Sequence, residues 1–315
     1  MTAEPEHVDV VVVGGGAAGL SAALVLSRAR RDVVVVDAGS PRNAPAAHAH
    51  GYLGREGVEP LELLRLGREE VRAYGGRVET GVVDAVVHGP GGASWRYEVR
   101  CVDGRSWRCR ALLVCTGLSD ELPGVPGLRQ RWGRDVLHCP YCHGREVADR
   151  RVGVLATSPG SFHQAELVRQ WCADVVLLAH GLAVGEEQRR RLDVLGVDVV
   201  EQPVDRLLVT DDALRGVRLS DGSDVGVEAL FVGPVFRGTD TFLLGLGAST
   251  QRRSEGSWVV VDDRGRTSVP WLYAAGNVVD PAAQVVDAAS AGSRAAVTVN
   301  GDLVDADVEA ALARR

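Results

Sequence analysis

Lysine is absent from this chain. Leaving histidine aside, all 35 basic residues are arginine, which rules out any mechanism that needs a Schiff-base lysine. An excess of positive charge is missing too. The formal charge of −7 disfavours nucleic acid or an anionic membrane surface as the main partner, and the expectation is neither. Only one apolar stretch, residues 8–26, is long enough to suggest a leader or a membrane span. Glu4, Glu6 and Asp9 stand where a signal would be basic, and Gly14, Gly15, Gly16 and Gly19 interrupt the run, so it fits neither. A cytoplasmic protein is expected. In that compartment six cysteines do not imply a disulfide framework. Cys101, Cys109, Cys115 and Cys172 show no paired spacing and read as small core or surface side chains.

What is present is an ordinary globular composition. The 315 residues are 45% hydrophobic and 24% charged, enough for two domains and a sizeable core. Residues 8–13 have the length and branching of a buried parallel strand. The run ends in Gly14-Gly15-Gly16-Ala17-Ala18-Gly19, which fits G-x-G-x-x-G, and an alanine-rich helix to about Arg30 and a second run at 33–36 follow. In such a βαβ unit Gly14 permits the tight turn, Gly16 lets backbone approach a pyrophosphate, and Gly19 lets the helix pack on the strand. The helix N-terminus turns its N–H groups to the phosphates. Asp37, 18 residues after the last glycine, falls where a carboxylate accepts the hydroxyls of an adenosine ribose. Such an acid prefers a free 2′-hydroxyl, so FAD or NAD is expected rather than NADP.

Residues 37–57, rich in Gly, Pro, Ala and His, read as a loop near the cofactor. Arg42 can face a phosphate there, and His48 and His50 can line a flavin or substrate pocket; each can equally be an exposed loop polar. A charged amphipathic helix is expected over 57–74, then a small antiparallel excursion through 78–83, 95–101 and 107–110. Residues 111–117 read as a buried strand closing in the small turn Cys115-Thr116-Gly117, where backbone can pass close to a cofactor. From Arg150 a second βαβ pattern starts, with strands over 151–155 and 174–178 around a helix over 162–171. Its turn, residues 156–162, lacks the glycine fingerprint and puts Pro159 where glycine would let backbone reach a pyrophosphate. No arginine directly follows its second strand; Arg189, Arg190 and Arg191 come only further on. A nucleotide fold without its ligand is expected. Near the end, residues 272–277 repeat the strand-to-small-turn pattern. A helix is expected over 284–300, with Gln284 at its start and N–H groups able to face the polar edge of an isoalloxazine.

Ahead of the second βαβ stands His138-Cys139-Pro140-Tyr141-Cys142-His143-Gly144. Two cysteines two residues apart can close a small ring, and flanking histidines can take or supply the proton that thiol-disulfide exchange needs. His138 and His143 are both candidates for the base, and adjacency does not choose between them. The same spacing serves as half of a zinc site or as the dithiol of a glutaredoxin. Zinc would need two more well-placed ligands, and histidines next to both cysteines bind one ion awkwardly, so no metal is expected. A glutaredoxin carries the motif near the start of a short fold, whereas a complete βαβ precedes it here.

Taken together, Gly14 to Gly19 with Asp37, the Cys115-Thr116-Gly117 turn, Cys139 and Cys142, and Gly276-Asn277 ahead of Gln284 resemble the low-molecular-weight thioredoxin reductases over nearly the whole chain. The resemblance implies an α/β fold of two Rossmann-like, three-layer domains. The FAD domain would be split into 1–116 and 246–315, and the NADPH-domain-like module carrying the C-x-x-C, residues 117–245, inserted between its halves. It implies a homodimer with non-covalent FAD. It carries cofactor contacts to Gly14, Gly16, Ala17, Ala18, Gly19, Asp37, Ala38, Arg42, His50, Val83, Cys115, Thr116, Gly117, Gly276, Asn277, Gln284 and Val285, and catalysis to Cys139, Cys142, His138 and His143.

Four departures bear on function: the missing NADPH glycines, the missing arginines after the second strand, His143 in place of an acid after the second cysteine, and Asn277 in place of an aspartate. With them the chain resembles the dithiol oxidase branch, flavoenzymes that close disulfides in dithiol natural products of the holomycin and gliotoxin type and use O2 rather than NADPH. The resemblance implies a small dithiol substrate and hydrogen peroxide as by-product. A reductase of thioredoxin-like proteins and a non-catalytic flavin-binding redox sensor are the alternatives.

Overall fold

The branched apolar runs become parallel strands. The computed structural model describes residues 4–91, 94–253 and 256–314, and they divide into two units. One comprises Met1–Ala44, Val58–Ser119 and Phe236–Arg315, the other Pro45–Gly57 and Asp120–Val235. The first unit holds a seven-stranded sheet. Strands Arg77–Thr80, Val33–Asp37, Glu6–Val13, Ser106–Val114 and Leu272–Ala274 lie parallel in that order. Tyr97–Cys101 and Val83–His88 branch off antiparallel from the lower half of Ser106–Val114. Alternation sorts the side chains. Val10, Val12, Val33 and Val35 face one core with helix Ala17–Arg28 and helix Val285–Leu312, while Val11, Val13, Val34 and Val36 face a second core with Tyr97, Trp107 and Leu243. A parallel sheet buried on both faces requires apolar residues at both parities, which is why the strands read as unbroken valine runs.

The second unit carries its own parallel sheet, in the order Val197–Val200, Asp174–Leu178, Arg151–Leu155, Ala229–Val232 and Val136–Leu137. Helices Gly160–Val168 and Glu186–Val194 cover one face through Phe162, Ala165, Val168 and Leu192. The antiparallel strands Val204–Thr210, Ala213–Leu219 and Asp224–Gly226 form a sheet that covers the other face through Val204, Leu207, Leu214, Val217 and Leu219.

Several expectations shift in detail. Arg77–Thr80 pairs parallel to Val33–Asp37 rather than joining the antiparallel excursion, and the segments at 107–110 and 111–114 are one strand. The terminal helix continues to Leu312. Thr241–Gly245, expected in the inserted module, packs with the first unit because Leu243 and Leu246 enter its core. Within the expected loop, Pro45–Gly57 groups with the second unit, where Pro45 backbone lies against Gly133. No helix among the described residues is long and apolar enough to cross a membrane.

At Gly292, helix Val285–Leu312 meets the backbone of helix Ala17–Arg28 with no room for a side chain. A Cβ on Gly292 would stand 2.0 Å from the Ala18 carbonyl oxygen. Gly292→Ala is therefore expected to push the helices apart and to cost about 1–3 kcal/mol of stability. Gly301→Ala on the same helix, where a Cβ meets nothing within 4 Å, should be neutral or stabilising by up to about 1 kcal/mol. Thermal unfolding of the two variants checks the pair.

Candidate active site

In the first unit the turn after Glu6–Val13 leaves no room for side chains on its inner side. Gly14 has φ 105° and a Cβ there would lie 2.4 Å from the Cys115 carbonyl oxygen. A Cβ on Gly19 would lie 1.9 Å from the Gly14 carbonyl oxygen. Gly16 is the opposite case, since a Cβ there would meet nothing within 4 Å, and it precedes the helix without a side-chain cap. The first-turn N–H groups at Ala17, Ala18 and Gly19 thus stand at an open, uncapped helix start, a ready anion cradle. Asp37 closes the same turn: a Cβ on Gly15 would come within 2.6 Å of its carboxyl carbon. Its carboxylate accepts from Gly39 N–H (3.1 Å) and from Arg68 Nη2 (2.7 Å). Arg68, on helix Pro60–Ala73, was not legible as a site residue, because helical periodicity marks faces and not partners on another strand.

Three strand ends converge beside this cradle. Cys115 N–H donates to Val13 O (2.7 Å) and Ala275 N–H to Val114 O (3.1 Å), and a Cβ on Gly276 would lie 2.9 Å from the Ala18 methyl. Thr116 Oγ1 donates to Thr239 O, and Gly117 turns the chain at φ 72°. Gln284 caps the terminal helix, its side chain taking a first-turn N–H while Asp287 accepts from its own N–H (3.0 Å), and Val285 is the first helical residue. Asn277 points its amide into the loop that follows it, where Nδ2 donates to Asp280 O and Ala283 O, both at 2.9 Å. An aspartate could not make those bonds. Further out, Ala38 is exposed, Val83 packs at the margin of the second core, and Arg42 lies over the Phe236 ring at 4.9 Å. An uncapped helix start, an open glycine and a carboxylate against the turn fit the pyrophosphate and ribose of a dinucleotide such as FAD.

The second unit holds the cysteine pair. Strand Val136–Leu137 ends at His138, Cys139 is the N-cap of the short helix Pro140–His143, and Gly144 closes it because a Cβ would meet Trp171 at 2.7 Å. Burial separates the six cysteines. Cys139 and Cys142 are half-exposed and the other four are buried, with the Cys109 and Cys115 thiols pushed up to about 12 by burial. His138 Nδ1 faces Val232 O at 3.2 Å, which leaves Nε2 as the acceptor nitrogen, and Gln164 donates to the His138 carbonyl at 2.6 Å. His143 is held below the ordinary histidine value of 6.5 by burial; the Glu146 carboxylate opposes this, and His50 and His138 reinforce it. His50 has its ring between two carboxylates, Nδ1 to Glu56 at 2.7 Å and Nε2 to Glu146 at 3.4 Å. Glu56, Glu146 and the exposed Tyr141, edge-on to Trp171 at 5.7 Å, went unassigned in the sequence. Only Tyr141 carried a signal, its place between the cysteines.

The chain as a whole is similar to known proteins. Residues 8–293 match the pyridine nucleotide-disulphide oxidoreductase family. Thioredoxin reductase sirT of Leptosphaeria maculans is 30% identical over 97% of this chain and 97% of its own. The crystal structure of HlmI superposes with a TM-score of 0.93 at 50% identity, over 100% of this chain and 98% of that one. A putative thioredoxin reductase TrxB from Bacillus anthracis gives a TM-score of 0.89 at 28% identity, over 95% and 99%. The chain belongs to the pyridine nucleotide-disulphide oxidoreductase family and is a thioredoxin-reductase-like flavoprotein oxidoreductase with FAD as cofactor.

Asn277→Asp removes two donors and sets a carboxylate against two carbonyl oxygens. A loss of about 1–3 kcal/mol is expected, partly recovered at acidic pH, where a protonated carboxyl can donate again. Thermal unfolding at neutral and acidic pH measures it.

Proposed function

We propose that this flavoprotein is a dithiol oxidase that closes an intramolecular disulfide in a small dithiol natural product, with Cys139 and Cys142 as the exchange pair and O2 as the terminal acceptor. The observation that carries this reading is how the second nucleotide turn spends its polar groups. Thr157 N–H donates to Ser161 Oγ at 3.1 Å and Ser161 N–H to Ser158 O at 3.0 Å, while Pro159 has no N–H to offer. Beyond the next strand, His180 Nδ1 accepts from Val204 N–H at 2.9 Å. Arg189, Arg190 and Arg191 pair with Glu201, Glu187 and Glu166. A turn and arginines engaged in this way have little left for the phosphates of NADPH, so the reading takes electrons from a thiol substrate.

In the proposed cycle a substrate thiol gives its proton to His143, and the thiolate attacks the Cys139 sulfur of the Cys139–Cys142 disulfide, releasing the Cys142 thiolate. The second substrate thiol gives its proton to the released Cys142 thiolate and its sulfur attacks the mixed disulfide, so that the cyclic disulfide leaves with Cys139 as thiolate. FAD, which the Gly14–Gly19 turn and Asp37 would hold, would supply a two-electron acceptor for the reduced cysteines and a route from there to O2 that yields hydrogen peroxide. His143 suits the base because burial keeps its imidazole neutral at neutral pH. The same reading makes the protein a cytoplasmic homodimer.

Anaerobic mixing tests it. A small dithiol should bleach the yellow flavin, with recovery and peroxide on admitting air, and Cys142→Ser should abolish this. Rapid bleaching by NADPH would sink the reading in favour of a reductase. The rate of dithiol bleaching should fall only on acidification below the ordinary histidine value of 6.5, because the His143 pKa is lowered and the base is lost only once that lower value is crossed.

A further inference from the structure

Helix Pro60–Ala73 sets Leu64 and Val71 into the core beside helix Ala17–Arg28, and a Cβ on its Gly67 would stand 3.1 Å from Leu20 Cδ1 of that helix. Arg68 shares this face, because positions 64, 67, 68 and 71 follow the i, i+3, i+4, i+7 spacing of one helical stripe. A charge on the packed stripe of a helix requires a partner. The other arginines of the helix are used nearby: Arg65 pairs with Glu62 and Glu69 on the helix itself, and Arg72 donates to Val78 O at 3.3 Å. Arg68 instead reaches the end of strand Val33–Asp37, where Nη2 lies 2.7 Å from Asp37 Oδ2 and the two side chains are 25% and 14% exposed.

We propose that Arg68 is a positioning residue of the FAD site, which holds the Asp37 carboxylate so that its two unused acceptor positions meet the two neighbouring hydroxyls of the adenosine ribose. An ionised carboxyl offers about four acceptor positions, two on each oxygen. Gly39 N–H takes one on Oδ1 at 3.1 Å and Arg68 takes one on Oδ2. Among the described residues no other donor reaches the carboxylate, so one position stays open on each oxygen, and a ribose diol presents one hydroxyl to each. Because a backbone donor holds one oxygen and the guanidinium the other, rotation about the Cβ–Cγ bond is stopped before a ligand arrives, and the cost of ordering the acceptor does not fall on binding. Gly15 closes the remaining side, since a Cβ there would come within 2.6 Å of the Asp37 carboxyl carbon. The carboxylate therefore lies against the turn whose open helix start would take the pyrophosphate. Arg68 acts through Asp37 and needs no contact of its own with the cofactor. The assignment depends on FAD as the cofactor and not on the dithiol chemistry.

Equilibrium dialysis of the holoprotein against FAD, or against the FAD analogue whose adenosine carries a 2′-deoxyribose, separates this role from a merely structural one, with bound flavin read by its absorbance. Arg68→Met keeps the apolar stem on the packed face and removes the donor. It is expected to weaken FAD binding about tenfold and to leave binding of the deoxy analogue unchanged, so that the preference of the parent protein for the intact diol collapses. Arg68→Lys, which keeps a charged donor on a long stem, should recover most of the affinity for FAD. In an Asp37→Ala background the Arg68→Met step should have no further effect on FAD. Arg68→Gln, polar but too short to span the same gap, stands in if the methionine variant does not fold. A loss of equal size for FAD and the analogue, or a loss that persists in the Asp37→Ala background, would show Arg68 to be a staple between helix and strand and overturns the proposal. So does unchanged FAD binding in Arg68→Met.

Discussion

The flavin unit depends on backbone meeting backbone where no Cβ can fit. Gly14 against the Cys115 carbonyl, Gly19 against the Gly14 carbonyl, and Gly292 against the Ala18 carbonyl are three contacts of one kind. They draw the ends of three parallel strands and the starts of two helices to one edge. An uncapped helix start, Asp37 and the Gly276 turn stand together only because these approaches are closer than any side chain permits. The residues that would hold FAD are thus assembled by the same steric omissions that hold the unit together.

In the second unit the organising term is burial of charge and thiol. Core packing takes Cys172 of this unit, and Cys101, Cys109 and Cys115 of the first, out of use and raises their thiol pKa values. The pair at the end of the short strand stays half-exposed. The same partial burial keeps His143 neutral, and Glu146 limits how far. In the turn after Arg151–Leu155, Thr157 N–H and Ser161 N–H bond within the turn itself. The first turn keeps the glycine fingerprint and the second lacks it, and this asymmetry gives the proposed electron flow its direction.

Much of this was legible in the residues. The valine runs, the G-x-G-x-x-G and the acid after it report local requirements of strand burial, tight turning and ribose recognition, and such requirements are written within a few residues of one another. The terminal helix was legible at its start, where Gln284 caps it, and not at its end. In its last turns Val304, Val308 and Leu312 are exposed, and Asp307 pairs with Arg31 and Arg110, partners far away in the chain that no local periodicity announces. The parallel role of Arg77–Thr80 was hidden because a short edge strand shows no burial pattern that separates it from an antiparallel one.

By itself the sequence determined that there are two βαβ units, that the first keeps its phosphate fingerprint and the second has lost it, and that one cysteine pair stands apart from four others. Each of these follows from neighbouring residues and their backbone preferences. Only the tertiary structure decided that the histidine loop at 45–57 groups with the cysteine pair, that Arg68 holds Asp37, and that His50 meets Glu146. Those contacts join residues far apart in the chain, and their existence depends on which surfaces the packed sheets and helices bring to the same place.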